Sequence, residues 1–85
     1  MEGKVVIVTG GSSGIGKALA EEFGKHGAKI LITGRKQEQL STVTKELQDK
    51  GITISSIVAN AGQEQDNKKM VDEAIRLYGK IDVLI

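Results

Sequence analysis

The sequence contains no cysteine, no proline and no tryptophan, and it has one tyrosine and one phenylalanine. Without cysteine the chain can form neither a disulfide bond nor a thiolate metal site. Its single histidine, His26, cannot bind zinc alone, so no metal site is predicted. Proline is absent while glycine is frequent, at 11 residues, and this combination predicts tight turns between regular elements rather than a loop-rich or disordered chain.

Charge and hydropathy exclude further classes of protein. The net charge of +1 gives no long-range attraction to nucleic acids or anionic membranes. No apolar run approaches the ~20 residues of a transmembrane helix, and the amino-terminal residues lack the pattern of a secretion signal. With 85 residues, the chain is expected to be a single cytoplasmic domain with neither nucleic acid nor membrane as a partner.

Apolar, β-branched segments alternate with segments of helical periodicity along the chain. The predicted strands are residues 4–9, 28–33 and 52–59 and a fourth that begins at Ile81. The first helix has an apolar stripe at helical spacing, formed by Ile15, Ala18, Leu19 and Phe23. Each helix is expected to end at a glycine, and these glycines are Gly27, Gly51 and Gly79. The order β-α-β-α-β-α-β predicts an α/β fold with a parallel sheet and right-handed crossovers.

A glycine-rich stretch, TGGSSGIG, follows the first predicted strand directly and opens the first helix. In this context, backbone N–H groups and the helix dipole favour a bound phosphate. Gly10 permits the tight turn, Gly14 lets a pyrophosphate approach the backbone, and Gly16 lets the helix pack close to the strand. Ser12 and Ser13 can donate hydroxyl groups to phosphate or cap the helix. The alternative is a glycine turn that merely joins strand and helix.

Residues 9–16, together with the β-α repeat, resemble the cofactor fingerprint TGxxxGIG of the short-chain dehydrogenases/reductases. The resemblance extends over all 85 residues, and the closing YGKIDVLI is similar to the family's fourth strand. It implies a Rossmann-type doubly wound fold that binds a nicotinamide dinucleotide. The cofactor-binding residues that it implies in this loop are Gly10, Ser12, Ser13, Gly14, Ile15 and Gly16.

The end of the second strand is predicted to select the cofactor. NAD-preferring members of the family usually place an acidic residue there, which holds the ribose 2′-hydroxyl. This sequence has Gly34 at that position, followed by Arg35 and Lys36. A guanidinium group suits a 2′-phosphate because it is planar, permanently charged and able to form two parallel hydrogen bonds. The resemblance therefore implies NADP(H), with Arg35 as a binding residue, whereas the alternative is that both cations are only solvated.

The triplet Asn60-Ala61-Gly62 is similar in letters to the family's NNAG motif, but it follows the third strand rather than the fourth. By position, Asn60 matches the family's aspartate that contacts the adenine amino group. Ala61 matches the residue whose backbone N–H meets the ring. An asparagine oxygen can accept the same hydrogen bond. Equally, Gly62 can serve as a turn or as the start of a helix.

No catalytic residue is predicted within the chain. The family's catalytic Tyr-x-x-x-Lys would need a lysine four residues after Tyr78, where the sequence has Asp82, so Tyr78 is expected to pack in a helix. His26 is expected at the surface. The chain ends where the NNAG motif of the family would begin, and residues 1–85 are therefore expected to form the amino-terminal dinucleotide-binding half of a Rossmann domain.

The resemblance implies that the full-length parent is an NADP-dependent oxidoreductase, which transfers hydride between nicotinamide and a carbonyl or alcohol substrate. The 85-residue chain is expected to be inactive alone. The alternative is a stand-alone or excised nucleotide-binding or structural module without catalysis, and a remnant without function is a third possibility.

Crossover handedness predicts the strand order 3-2-1-4, with the first two helices on one face of the sheet and the third alone on the other. Part of the second face and the edge of the fourth strand would then be open to water. An apolar, unpaired edge favours association. The isolated chain is therefore expected to self-associate through the fourth strand.

Overall fold

The computed structural model describes residues 2–60 and 62–85, which form a four-stranded sheet and three helices. The strands are β1 (Val5–Thr9), β2 (Lys29–Gly34), β3 (Ile54–Val58) and β4 (Val83–Leu84). The helices are α1 (Gly14–Lys25), α2 (Gln37–Asp49) and α3 (Glu64–Tyr78). All strand pairs are parallel and the order is β3-β2-β1-β4, which confirms the predicted Rossmann-type topology.

The two central strands are buried on both faces, as their β-branched sequences predict. Val5 to Val8 in β1 and Ile30 to Ile32 in β2 are completely inaccessible to solvent. The two strands pair in register, with Ile7 opposite Leu31. This apolar centre positions the carboxyl ends of β1 and β2 side by side.

Alternate residues of the central strands contribute to two separate cores. Val6, Val8, Ile30 and Ile32 pack with residues of α1 and α2, whereas Ile7 and Leu31 pack with Met70 and Ala74 of α3. Because side chains alternate across a strand, the two sets lie on opposite faces of the sheet. The predicted division, with α3 alone on its face, is confirmed for the described residues.

A glycine with positive φ follows each helix, as predicted. These residues are Gly27 (φ 91°), Gly51 (φ 84°) and Gly79 (φ 83°). The left-handed conformation costs glycine little and would strain other residues, so these positions end the helices sharply. Within residues 2–60 and 62–85, no helix is long and apolar enough to span a membrane.

The apolar stripe of α1 faces the core only in part. Phe23 packs against the core, but Ile15 is 79% exposed and Ala18 is also exposed. Gly16 and Ala20 are the buried residues of the helix instead. Small residues face the sheet because α1 packs close to it.

The predicted start of β4 at Ile81 is wrong, since the strand begins at Val83. Ile81 packs against the core on the α3 side before the strand begins. Asp82 then joins the chain to β1, with its backbone N–H donating to the Val5 carbonyl at 2.9 Å and its Oδ2 accepting from the Val5 N–H at 2.8 Å.

Candidate functional site

A cavity of about 520 Å³ opens at the carboxyl ends of β1, β2 and β3. In parallel α/β sheets, ligands bind at this edge, and the volume lies within the range of small-molecule sites. The residues that line it are Thr9, Gly10, Ser12, Ser13, Gly34, Arg35, Lys36, Gln39, Asn60 and Gly62.

The loop between β1 and α1 needs its glycines for different reasons. Gly10 has φ of 67°, which favours glycine. A Cβ atom at Gly16 would collide with the Gly10 carbonyl oxygen and lie 2.9 Å from the Gly11 Cα. A Cβ atom at Gly14 would meet no atom within 4 Å. Gly16 is thus required by packing, whereas Gly14 leaves an open cradle at the start of α1.

Ser13 caps α1. Its Oγ accepts a hydrogen bond from the Gly16 N–H at 3.1 Å and donates one to the Gly10 carbonyl at 2.8 Å. Of the two roles that the sequence allowed, the structure therefore shows capping for Ser13. The Ser12 hydroxyl lies beside Gly34, because a Cβ atom at Gly34 would be 3.2 Å from the Ser12 Oγ. Ser12 makes no side-chain hydrogen bond to the other described residues and can donate to a ligand.

Two cations, Arg35 and Lys36, lie at the start of α2 on the cavity wall. Both are exposed, and within the described part of the chain neither forms an ion pair. A cation at a helix N-terminus is disfavoured by the dipole. Among the described lining residues there is no carboxylate. The cavity therefore presents uncompensated positive charge.

Asn60 is held at the carboxyl end of β3 by two hydrogen bonds. Its backbone N–H donates to Asp66 Oδ2 at 2.7 Å, and its Oδ1 accepts from the Gly62 N–H at 3.0 Å. The side chain is half-buried in the cavity wall. Ala61, which the sequence predicts to contact the base, lies outside the described residues.

The structure brings several predicted site residues together. The predicted residues that line the cavity are Gly10, Ser12, Ser13, Arg35 and Asn60. Gly14 and Ile15 are exposed at the first turn of α1, and Gly16 is buried beneath them. Sequence reasoning missed Gln39 as a lining residue. Its position in the first turn of α2, shortly after Arg35 and Lys36, was the available signal.

Tyr78 and His26, for which the sequence predicts no catalytic role, lie outside the cavity lining. The Tyr78 hydroxyl donates to the Ile30 carbonyl at 2.9 Å, and burial raises the pKa of this phenol. Tyr78 thus packs against the core, as predicted. The exposed His26 ring lies 3.1 Å from Glu22 Oε1, one helical turn away. Neither Tyr78 nor His26 lines the cavity.

Comparison with known proteins gives consistent matches. The profile of the family described as short chain dehydrogenase matches residues 4–85. The short-chain dehydrogenase/reductase SDRA of Arabidopsis thaliana is 36% identical over 85 residues, which are 100% of this chain and 34% of that protein. The chain spans about a third of the length of the curated relatives that it matches.

Solved structures share the fold closely. A citronellol catabolism dehydrogenase of Pseudomonas aeruginosa PAO1 matches with a TM-score of 0.93 and 33% identity, over 99% of this chain and 35% of that one. A metagenomic short-chain oxidoreductase in complex with NADP matches with a TM-score of 0.90 and 31% identity, over 99% of this chain and 38% of that one. Since the family profile covers nearly the whole chain and the fold agrees, the chain belongs to the short-chain dehydrogenase family.

Proposed function

We propose that residues 1–85 are the NADP(H)-binding, amino-terminal half of the dinucleotide-binding domain of a short-chain dehydrogenase/reductase. The observation that carries this proposal is the pair of exposed cations, Arg35 and Lys36, in the same cavity as the glycine-rich loop. Cations at a helix N-terminus gain nothing from the dipole. A bound phosphate group would compensate their charge.

The loop fits the pyrophosphate of such a cofactor. The space above Gly14 is open, and the N-terminus of α1 directs backbone N–H groups and a positive partial charge toward it. Ser12 has a hydroxyl available, and Gly10 and Gly16 allow the close turn. We assign pyrophosphate binding to this set, extended by the exposed backbone at Ile15 and by Ser13 as the helix cap.

The residues after β2 and β3 complete the proposed site. Arg35 would bind the ribose 2′-phosphate through paired, charge-assisted hydrogen bonds, and Lys36 would add charge. Gly34 offers no carboxylate for a 2′-hydroxyl. Asn60, with Ala61 beside it, would contact the base. The NADP in the metagenomic relative supports this choice of cofactor.

In the whole protein, the nicotinamide would exchange a hydride with a carbonyl or alcohol substrate. The role of residues 1–85 is to bind and orient the adenosine and pyrophosphate parts of the cofactor. This assignment is supported by the family membership of the chain. The small-molecule substrate would be bound outside residues 1–85.

Calorimetric titration of NADPH and NADH into the protein tests the proposal. We expect NADPH to bind more tightly, and Arg35→Ala to weaken NADPH binding by about 10- to 100-fold because a charge-assisted pair is lost. NADH binding should change little. Arg76→Ala is the matched control, because it removes the other arginine, which pairs with Glu73 on α3 away from the cavity.

The two outcomes against the proposal are separate. Equal affinities for NADPH and NADH, unchanged by Arg35→Ala, would contradict the 2′-phosphate assignment. Absence of binding by either cofactor to the folded protein would contradict dinucleotide binding itself.

A further inference from the structure

Asn60 lies two strands away from the glycine-rich loop along the binding edge of the sheet. The order β3-β2-β1 places Asn60 after β3, Arg35 after β2 and the loop after β1. Adjacent strands are about 4.8 Å apart, so the three positions form a row about 10 Å long. A nucleotide with its phosphates at the loop and its ribose at Arg35 therefore brings its base to Asn60.

The orientation of the Asn60 amide follows from its partner. The Gly62 N–H, whose nitrogen is 3.0 Å from the amide, is a donor and cannot accept a hydrogen bond. The atom that faces it must therefore be the oxygen, Oδ1. The backbone N–H of Asn60 is fixed in turn by Asp66 Oδ2 at 2.7 Å. These two bonds hold Asn60 in a local turn and direct the oxygen end of its amide toward the Gly62 N–H.

The committed oxygen changes what the side chain offers to a ligand. A carboxylate at this position would have one oxygen for the Gly62 N–H and a second as an acceptor for the base. The amide has one oxygen, one lone pair of which takes the Gly62 N–H, and its other arm, Nδ2, is a donor that a carboxylate lacks. Among the side-chain hydrogen bonds of the described residues, none uses Asn60 Nδ2. A bound ligand can therefore provide the acceptor for Asn60 Nδ2.

We infer that Asn60 presents a hydrogen-bond donor to the base, so that the site accepts a 6-oxopurine dinucleotide at least as well as an adenine dinucleotide. Adenine has an amino group, a donor, at C6 beside the acceptor N1, whereas hypoxanthine has a carbonyl oxygen at C6, which Nδ2 can contact directly. This inference rests on the proposed function and adds a base specificity to the same site.

The test compares the affinities of NADPH and of its hypoxanthine analogue, reduced nicotinamide hypoxanthine dinucleotide phosphate. We expect the unmodified protein to bind the analogue at least as tightly as NADPH. Asn60→Asp restores an acceptor and should shift the ratio of the two affinities toward NADPH by about tenfold. The ratio is informative because both ligands carry the same charge, so repulsion from the new carboxylate and from Asp66 affects them alike.

Two further variants keep the test interpretable. Asn67→Asp makes the same substitution on the exposed surface of α3, and its affinity ratio should equal that of the unmodified protein. Asn60→Ala removes the donor without adding charge and should abolish any preference for the analogue. It also serves if Asn60→Asp does not fold.

The negative outcomes distinguish this inference from the proposed function. If NADPH binds about tenfold more tightly than the analogue and both Asn60 variants leave that ratio unchanged, the inference is overturned while NADP(H) binding stands. If neither dinucleotide binds to the folded protein, the proposed function fails and the inference fails with it.

Discussion

Asp82 connects β4 to β1 through its side chain as well as its backbone. Its Oδ2 accepts a hydrogen bond from the Val5 N–H at 2.8 Å, and the Lys80 Nζ lies 3.1 Å from the same oxygen. The Val5 hydrogen bond first, and Lys80 second, hold the pKa of this carboxyl below its ordinary value of 3.8. The ionised carboxylate therefore accepts the hydrogen bond from the Val5 N–H that a backbone carbonyl of the neighbouring strand would normally accept.

This lowered pKa predicts a pH-dependent contribution to stability. A carboxyl whose pKa is lower in the folded than in the unfolded chain stabilises the fold fully above the unfolded value of 3.8, and the contribution is lost as pH falls through the folded value. Asp82→Asn should therefore lower the urea midpoint at neutral pH and have little effect near pH ~2. Circular dichroism at both pH values measures this difference.

Asp72→Asn is the control for this experiment, because Asp72 is an exposed aspartate of α3 without an ion pair to another described residue. It should leave the midpoint nearly unchanged at both pH values. If Asp82→Asn lowered the urea midpoint by the same amount at both pH values, packing rather than the charge would be responsible.

At the scale of the elements, the two glycines in the first turn of α1 have different roles: Gly16 is needed for packing, and Gly14 leaves space for the ligand. A Cβ atom at Gly16 would collide with the Gly10 carbonyl, whereas one at Gly14 would enter open space. Gly16→Ala should thus lower the free energy of unfolding by about 1–3 kcal/mol, as overpacking does. Gly14→Ala should stabilise the helix by about 0.5 kcal/mol and weaken NADPH binding, because its methyl group would occupy the cradle.

Thermal or urea denaturation and NADPH titration of both variants measure these opposite effects. Each variant is the control of the other, because both add one methyl group to the first turn of the same helix. If Gly14→Ala bound NADPH as tightly as the unmodified protein, the proposed position of the pyrophosphate would be wrong.

The elements were predictable where the cause is local. Gly27, Gly51 and Gly79 end helices because left-handed backbone needs glycine, and this requirement is visible in the sequence. The face of α1 was not predictable, because the pattern assumed that large aliphatic residues face the core. The approach of α1 to the sheet instead selects Gly16 and Ala20, and that distance is a tertiary property.

The candidate site also combines features that the sequence predicts with features that only the tertiary structure determines. Parallel topology alone predicts that the glycine-rich loop, Arg35 and Asn60 meet at one edge, because the carboxyl ends of the strands share it. The direction of the Asn60 amide depends on a hydrogen bond from Gly62, and no spacing in the sequence encodes that bond. The start of β4 was missed for a related reason, since Asp82 pairs through its side chain.

At the scale of the whole molecule, the two edges of the sheet are protected to different degrees. Odd-numbered residues of β3 bond to β2, so the carbonyls of Ile54 and Val58 face outward. Both are covered, the first by the Gln48 Nε2 at 3.0 Å and the second by the Lys69 Nζ at 2.9 Å. Side-chain donors of this kind reduce pairing with another chain.

The β4 edge has less protection. Ile85 bonds to β1 through both its N–H and its carbonyl, which turns the backbone of Leu84 outward. Leu84 is 59% exposed, and Ile75 of α3 is 49% exposed. Outward-facing backbone groups beside exposed aliphatic side chains favour association.

We therefore expect the 85-residue chain to self-associate through β4. Sedimentation velocity should show an oligomer fraction that rises with protein concentration, and Leu84→Lys should reduce it because a charge on an edge strand disfavours pairing. Gln65→Lys, at an exposed position of α3, adds the same charge and should leave the fraction unchanged. A monomer at all concentrations would contradict self-association, and an oligomer that Leu84→Lys leaves intact would move the interface away from β4.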